Sequence, residues 1–330
     1  MANRLIAMVG LLPAIALILF VLLHALPGSP EQRILATDPG LSVQDVDRLR
    51  ALRGWDRPVL ERFGCWWLGR TETRCRYWPG RGLLRGDLGW STVHGRPVVD
   101  LVGERLARTL SIMVPGYFSA FVLAWAVGLS AARHPGGPWD RWVFGVGMLG
   151  LAFPLHWGAM LLVLVFSLGL GWLPSSGIHA FGEDSFGSRA VHAVLPVATI
   201  ALYFSGRWLR YVRAAAIEAG RAPFVTGLRA RGVSEAAVRR HVARNALLPV
   251  LSVVGQGAPV LFSGALVVER VFVYPGMGAL LLDSVLEDDY LVAIVVLLIF
   301  STASLGFSLL TDVVLWALDP RMRRSGASIG

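Results

Sequence analysis

The sequence predicts an all-α integral membrane protein with about six transmembrane helices. Three observations carry that expectation. The 330 residues are 55% hydrophobic and only 16% charged, with a mean hydropathy of +0.58, beyond what a soluble domain needs for its core. The apolar residues are gathered into long runs, near the ~20 residues a helix needs to cross the hydrocarbon. Arginines collect at the ends of those runs, as they do in loops on the cytoplasmic side.

The first run, Ile6 to Leu26, lies between Arg4 and the breaker Pro27-Gly28-Ser29. Its apolar region is long for a signal peptide, and Pro27 stands where small residues permit cleavage, so it reads as a retained span. Leu110 to Ala132, Trp142 to Leu173, Val191 to Leu209, Ala246 to Val268 and Tyr290 to Leu318 follow. Prolines inside them, Pro115 and Pro154 among them, predict kinks that membrane helices tolerate when neighbours re-satisfy the backbone. Val98, Val99, Leu101, Val102 and Leu106 form the apolar face of an expected interfacial helix before the second run.

Charge sets the sidedness. Arg133, His134 and Arg141 precede the third run, and five arginines follow the fourth between Val225 and Val250. Both groups belong inside, so an even number of crossings separates them and Trp142–Leu173 counts as one. The loop carrying Glu183 and Asp184 is then outside, as is Glu269 to Asp289. Arg321, Arg323, Arg324 and both termini are inside. The segment from Gly28 to Arg108 is external by parity, since loops longer than ~60 residues escape the positive-inside bias. It holds both cysteines, Cys65 and Cys75, near Trp66, Trp67 and Trp78. In an oxidising compartment a local disulfide is the favoured reading, with two unpaired thiols as the alternative.

The net charge of +9 does not indicate nucleic acid, because the arginines sit at run ends and no nucleic-acid-reading module is visible. All 31 basic residues are arginine. A P-loop needs a lysine at the terminal phosphates, so any ATP that drives this chain is hydrolysed elsewhere. The histidines lack the spacing of a zinc or nucleophile site, which sets aside a membrane-embedded hydrolase.

The stretch VTGLRARGVSEAAVRRHVARNALLPV, Val225 to Val250, is the most informative. Pro223 suits the first turn of a helix and Gly232 a C-terminal cap. Ser234 is placed as the next N-cap, with Glu235 in the following first turn. Two helices with a glycine turn on the cytoplasmic face are expected. An arginine-rich loop that only fixes topology explains the charge but not the caps. Attraction to anionic lipid headgroups, worth ~1 kcal/mol per basic residue, also operates without requiring a hairpin. Docking of a partner is the reading the caps favour.

These residues resemble the cytoplasmic coupling loop of permease subunits in bacterial ABC importers of the dipeptide/oligopeptide branch, type I importer subunits of binding-protein-dependent systems. Phe224, Val225, Arg229, Ala230, Gly232 and the run Arg244 to Pro249 match the family pattern, while Gly227, Leu228 and Arg231 depart from it. GLLRGDLGWS (Gly82–Ser91), LGWLPSSG (Leu170–Gly177), ERVFVYPGMGALLLDSVLEDDY (Glu269–Tyr290) and LLTDVVLWALDPRMRR (Leu309–Arg324) resemble further family motifs in the same order. The resemblance implies a non-catalytic, multi-pass subunit of the bacterial inner membrane, with no cofactor of its own. It implies an N-terminal helix and periplasmic region over 1–103, a type I transmembrane domain over 104–319 and a cytoplasmic tail over 320–330. It also implies a homologous permease partner in a heterodimer, ATPase subunits binding ATP and Mg, and a periplasmic substrate-binding protein. Arg229, Ala230, Arg231, Gly232, Ser234 and Glu235 would contact the ATPase.

The implied cargo is a di- or oligopeptide, with nickel, glutathione or opines as alternatives carried by the same architecture. An ion-coupled secondary transporter is a more distant alternative, since the spans offer too few carboxylates and histidines for a proton relay. Asp312 and His156 are the ionisable residues singled out within the runs. Asp312 is expected to pair with a terminal arginine, and His156 stands between path lining and packing. Gln256 and Ser263, near Gly255, Gly257 and Pro259, are candidates for lining the path.

Overall fold

The computed structural model describes residues 2–24, 43–54, 56–69, 75 and 80–318. Among these the chain is helical, without a named strand, and only two isolated bridges, Trp90 with Pro97 and Ala180 with Glu183, break the pattern. The helices are α1 (Ala2–His24), α2 (Val43–Arg53), α3 (Val59–Leu68), α4 (Val98–Ala131), α5 (Pro138–Ala152), α6 (Leu155–Leu162), α7 (Phe186–Arg221), α8 (Pro223–Ala230), α9 (Glu235–Gly255), α10 (Ala258–Val271), α11 (Met277–Leu286) and α12 (Tyr290–Leu318). Among the described residues α4, α7 and α12 are long and apolar enough to cross a membrane unbroken. Two bent pairs, Pro138–Gly150 with Leu155–Gly169 and Glu235–Gly255 with Pro259–Val271, raise the count to five if each is one span.

The chain divides into two compact units. The first comprises Met1–Ala107 and Ala279–Thr302. Here α3 packs on α1, with Phe20 stacked 5.8 Å from Trp66 and edge-on to Phe63 at 5.5 Å. Cys65 and Cys75 are disulfide-bonded, with Cα atoms 5.4 Å apart, and Cys65 and Trp66 are buried beside them. The GLLRGDLGWS loop is shaped by Asp87, whose carboxylate accepts the N–H groups of Arg81 at 2.7 Å and Gly89 at 2.9 Å. Ser91 is buried and donates its hydroxyl to the buried carboxylate of Asp289, and its Oγ accepts the His94 N–H at 2.9 Å.

The second unit comprises Arg108–Gly278 and Ala303–Gly330. Its core is an aromatic cluster in which Tyr117 of α4 meets Phe204 and Trp208 of α7 at 5.1 and 4.6 Å, and Phe307 of α12 at 5.8 Å. Such edge-to-face pairs add to simple burial. Asp140, buried at the start of α5, accepts both Arg213 of α7 and the Gly136 N–H. A buried carboxylate without such donors is strongly disfavoured.

The structure refines several expectations. Val98 to Leu106 is helical and leads without a break into the second run, as one 34-residue helix. Val98, Leu101 and Val102 are buried but Val99 is exposed, so the apolar face is narrower than predicted. The third run bends at Pro154, as expected, and its two arms meet at 106°. Pro154 has no N–H and forces the residue before it out of the helical region; Phe153 accordingly has φ −80 and ψ 122. By contrast Pro115, Pro196 and Pro249 are carried within continuous helices. Within the stretch expected outside, Glu269 and Asp289 are both buried in the protein. The breaker Pro27–Ser29, Trp78, the tail 320–330 and its arginines, the expected partners of Asp312, lie outside the described residues.

Candidate functional site

The hairpin forms where local chemistry stops one helix and starts the next. α7 ends at Arg221, and Ala222, with ψ 146, serves as N-cap for α8, whose first turn holds Pro223. At the far end the Gly232 N–H donates to Arg229 C=O at 2.9 Å and the Val233 N–H to Leu228 C=O at 3.1 Å. This is a Schellman closure. It requires the left-handed residue that Gly232 supplies at φ +71. Ser234 then caps α9, its Oγ accepting the Ala237 N–H at 3.4 Å.

Across the turn Arg229 donates two hydrogen bonds to Glu235, at 2.7 and 3.3 Å. The Glu235 carboxylate beside it holds the Arg229 guanidinium above its ordinary range, chiefly through that hydrogen bond. Both side chains are more than half exposed, so the pair orients the turn more than it stabilises it. Arg229, Ala230, Arg231, Gly232, Ser234 and Glu235 are all exposed, whereas Val225 and Val238 are buried beneath them. The six predicted contact residues therefore form one open tip. α9 runs back along α7 from that tip, burying Val238, Ala246, Val250 and Val254.

The path candidates fall in two places. Gln256, at the α9–α10 break, and Ser263, within α10, are both exposed. His156 is exposed in the first turn of α6. It does not line the small recess at the α5–α6 break, which is bounded by Phe153, Pro154, Leu155, Gly158, Thr199 and Tyr203 among others.

Several tertiary contacts went unread in the sequence. Glu269, at the end of α10, accepts the Thr109 hydroxyl at 2.6 Å, and Thr109 Oγ1 accepts the Met277 N–H at 2.7 Å. The Tyr274 ring hydroxyl and the Ser111 hydroxyl meet at 2.9 Å. The Pro-Gly-Met-Gly motif is thereby clasped: a Cβ at Gly276 would overlap the Glu269 carboxylate, and one at Gly278 would lie 2.5 Å from Leu266 Cα. The Asp140–Arg213 pair and the bond of the Tyr117 hydroxyl to Val254 C=O were among the others. An acidic residue in the first turn of an apolar run was the one available signal, for Asp140. Among the described residues no group of three or more His, Cys, Asp or Glu side chains is placed to hold a metal ion.

Membrane-length helices, bent helix pairs and an exposed, capped hairpin at the end of two of them define the class: a polytopic α-helical membrane protein. Comparison with known proteins gives the family. Residues 124–324 match the binding-protein-dependent transport system inner membrane component family. Glutathione transport system permease proteins GsiC of Escherichia coli and Shigella dysenteriae are each 32% identical over 322 residues, spanning 97% of this chain and 97% of each relative. That of Salmonella choleraesuis is 32% identical over 326 residues, with the same coverage. The chain belongs to the binding-protein-dependent transport system inner membrane component family, and is an ABC importer permease subunit of the inner membrane.

Proposed function

We propose that this chain forms half of a translocation path, paired with a homologous permease, and that its α8–α9 hairpin receives the force of ATP hydrolysis from cytoplasmic ATPase subunits. One observation carries the reading. The tip from Arg229 to Glu235 is exposed, capped at both helix ends and closed by a left-handed glycine, which is a shaped surface rather than a slack loop. ATP and Mg belong to the partner subunits, since the chain has no lysine for a P-loop. In this reading the chain crosses the membrane six times with both termini cytoplasmic. Residues 1–103 hold the first span and a periplasmic region that meets a binding protein, 104–319 the transmembrane domain, and 320–330 the tail. His156, Gln256 and Ser263 are proposed to line the path.

The cargo is proposed to be a short peptide. A second reading, glutathione, is favoured over nickel or opines because the relatives above are named as glutathione permeases. Glutathione is itself a peptide of three residues, so the two readings share a chemistry of paired charges and amides. Mass spectrometry of the ligand retained by the cognate binding protein separates them.

The hairpin is tested by Gly232→Val in the assembled complex. A β-branched residue in left-handed backbone costs roughly 1–2 kcal/mol, enough to reshape the turn without unfolding the spans. Binding-protein-stimulated ATPase activity should fall at least about tenfold while the complex still purifies intact. Normal stimulation in this variant refutes the coupling role.

A further inference from the structure

We propose that Tyr117 is a positioning residue that holds the α9–α10 break in its bent state, and that this break is the hinge where movement of the hairpin becomes movement of α10. The inference rests on the coupling role proposed above.

The break has a clear local cause. Pro259 offers no N–H, so the Gly255 carbonyl has no partner one turn ahead. Between the two arms the ladder tightens, with the Gly257 N–H donating to Val254 C=O at 2.9 Å. The arms then diverge by 59°. The Val254 carbonyl accepts a second hydrogen bond from outside its own helix, from the Tyr117 hydroxyl of α4 at 2.5 Å. That hydroxyl sits on a ring fixed edge-on by Phe204, Trp208 and Phe307, so its position is set independently of α9.

The same hydroxyl also limits the sequence of the hinge. A Cβ at Gly257 would stand 2.5 Å from the Tyr117 oxygen, and one at Gly255 would overlap Thr311 of α12. The bend is thus gripped on its inner side by two other helices. On its outer side Gln256 is exposed. Continuing the helix through the break would return the Val254 carbonyl to the Ala258 N–H, one turn ahead. In the bent state that carbonyl accepts the Gly257 N–H and the Tyr117 hydroxyl together, so the tyrosine bond adds to the tightened turn and favours it over a ladder continued to Ala258. An element with two such arrangements is what a coupled device requires.

The chain supplies a convenient reporter. Its two cysteines are bridged to each other, so Gln256→Cys places a single free thiol at the hinge. The thiol would be alkylated with N-ethylmaleimide in the complete transporter in nanodiscs, at rest and after trapping with ATP and vanadate. With Tyr117 present, trapping should change the rate. Tyr117→Phe keeps the ring and removes only the hydroxyl; it should shift the resting rate about three- to tenfold toward the trapped value, the population change one buried hydrogen bond can set. Gly257→Ala, whose methyl displaces the hydroxyl, should do the same, and combining the two should add nothing further. A resting rate unaltered by Tyr117→Phe, or additive effects of the two substitutions, overturns the lock while leaving coupling intact. A thiol that ignores nucleotide in the parent overturns the coupling role beneath it. A purely structural role for Tyr117 would lower the thermal midpoint without moving the alkylation rate, and that result also refutes the proposal.

Discussion

Thr109→Val removes one oxygen and leaves the volume of the side chain nearly unchanged, so its effect isolates the clasp at Glu269. In the native chain the Thr109 hydroxyl is buried, donates to the Glu269 carboxylate at 2.6 Å and accepts the Met277 N–H at 2.7 Å. A hydrogen bond to a charged group is worth roughly 1.5–3 kcal/mol, and a buried N–H left without an acceptor costs roughly 1–3 kcal/mol. Glu269 keeps other contacts, so the lower half of the sum applies, about 3 kcal/mol. Thr109→Ser is the control: it retains both bonds and loses one buried methyl, about 0.8 kcal/mol.

Each kcal/mol moves the midpoint of a body of this size by roughly 2–4 °C. The expected drops are therefore about 6–12 °C for Thr109→Val and about 2–3 °C for Thr109→Ser. Intrinsic fluorescence of the 12 tryptophans during heating in detergent reads both, at one fixed scan rate because membrane proteins commonly unfold irreversibly. Equal midpoints for the two variants would show that the hydroxyl holds nothing, and the assignment of Glu269 as an internal anchor would be wrong.

Gly227→Ala should stabilise the hairpin: Gly227 lies inside α8, an added Cβ meets only the Arg231 guanidinium at 3.8 Å, and replacing a mid-helix glycine gains roughly 0.5–1 kcal/mol. Slower amide exchange over α8, with unchanged exchange in α5, is the outcome to look for; faster exchange contradicts it. Reduction of Cys65–Cys75, separated by 10 residues, should cost about 2–3 kcal/mol by loop-closure entropy and loosen the packing of Trp66 on Phe20. A midpoint indifferent to reductant, or free thiols by mass spectrometry in the unreduced protein, would contradict that assignment.

The legible parts of this chain are those whose causes are local. Pro223, Gly232, Ser234 and Glu235 act through hydrogen bonds spanning six residues or fewer, so a single sequence contains the whole interaction. The apolar runs were legible for the same reason, since hydropathy belongs to each residue. What stayed hidden needs two distant partners. Thr109 and Glu269 are 160 residues apart, Tyr117 and Val254 137, and Asp140 and Arg213 73. Glu269 stands at the end of an apolar run, where an acidic residue looks like the edge of a solvent loop, and its burial was not legible there. The Thr109 hydroxyl is one of the contacts that make that burial tolerable. At the third run Pro154 signalled a kink but not its size, since charge parity counts crossings and a 106° break leaves parity untouched.

These hidden contacts bear on how a load applied at the hairpin would spread. α9 has 21 residues, a rod of about 31 Å at 1.5 Å per residue, with the tip at one end and the Gln256 break at the other. Along its length Val238, Ala246, Val250 and Val254 are buried, and α9 packs on α7. α7 in turn is tied to α5 by the Asp140–Arg213 pair. A close-packed interface transmits displacement rather than absorbing it, so α9, α7 and the start of α5 would move as one body under such a load. The first place that body can yield is where its ladder is already interrupted, at Gln256 and Gly257. If the proposed coupling holds, the packed rod would carry the displacement and one tyrosine hydroxyl would set how readily the far end gives way.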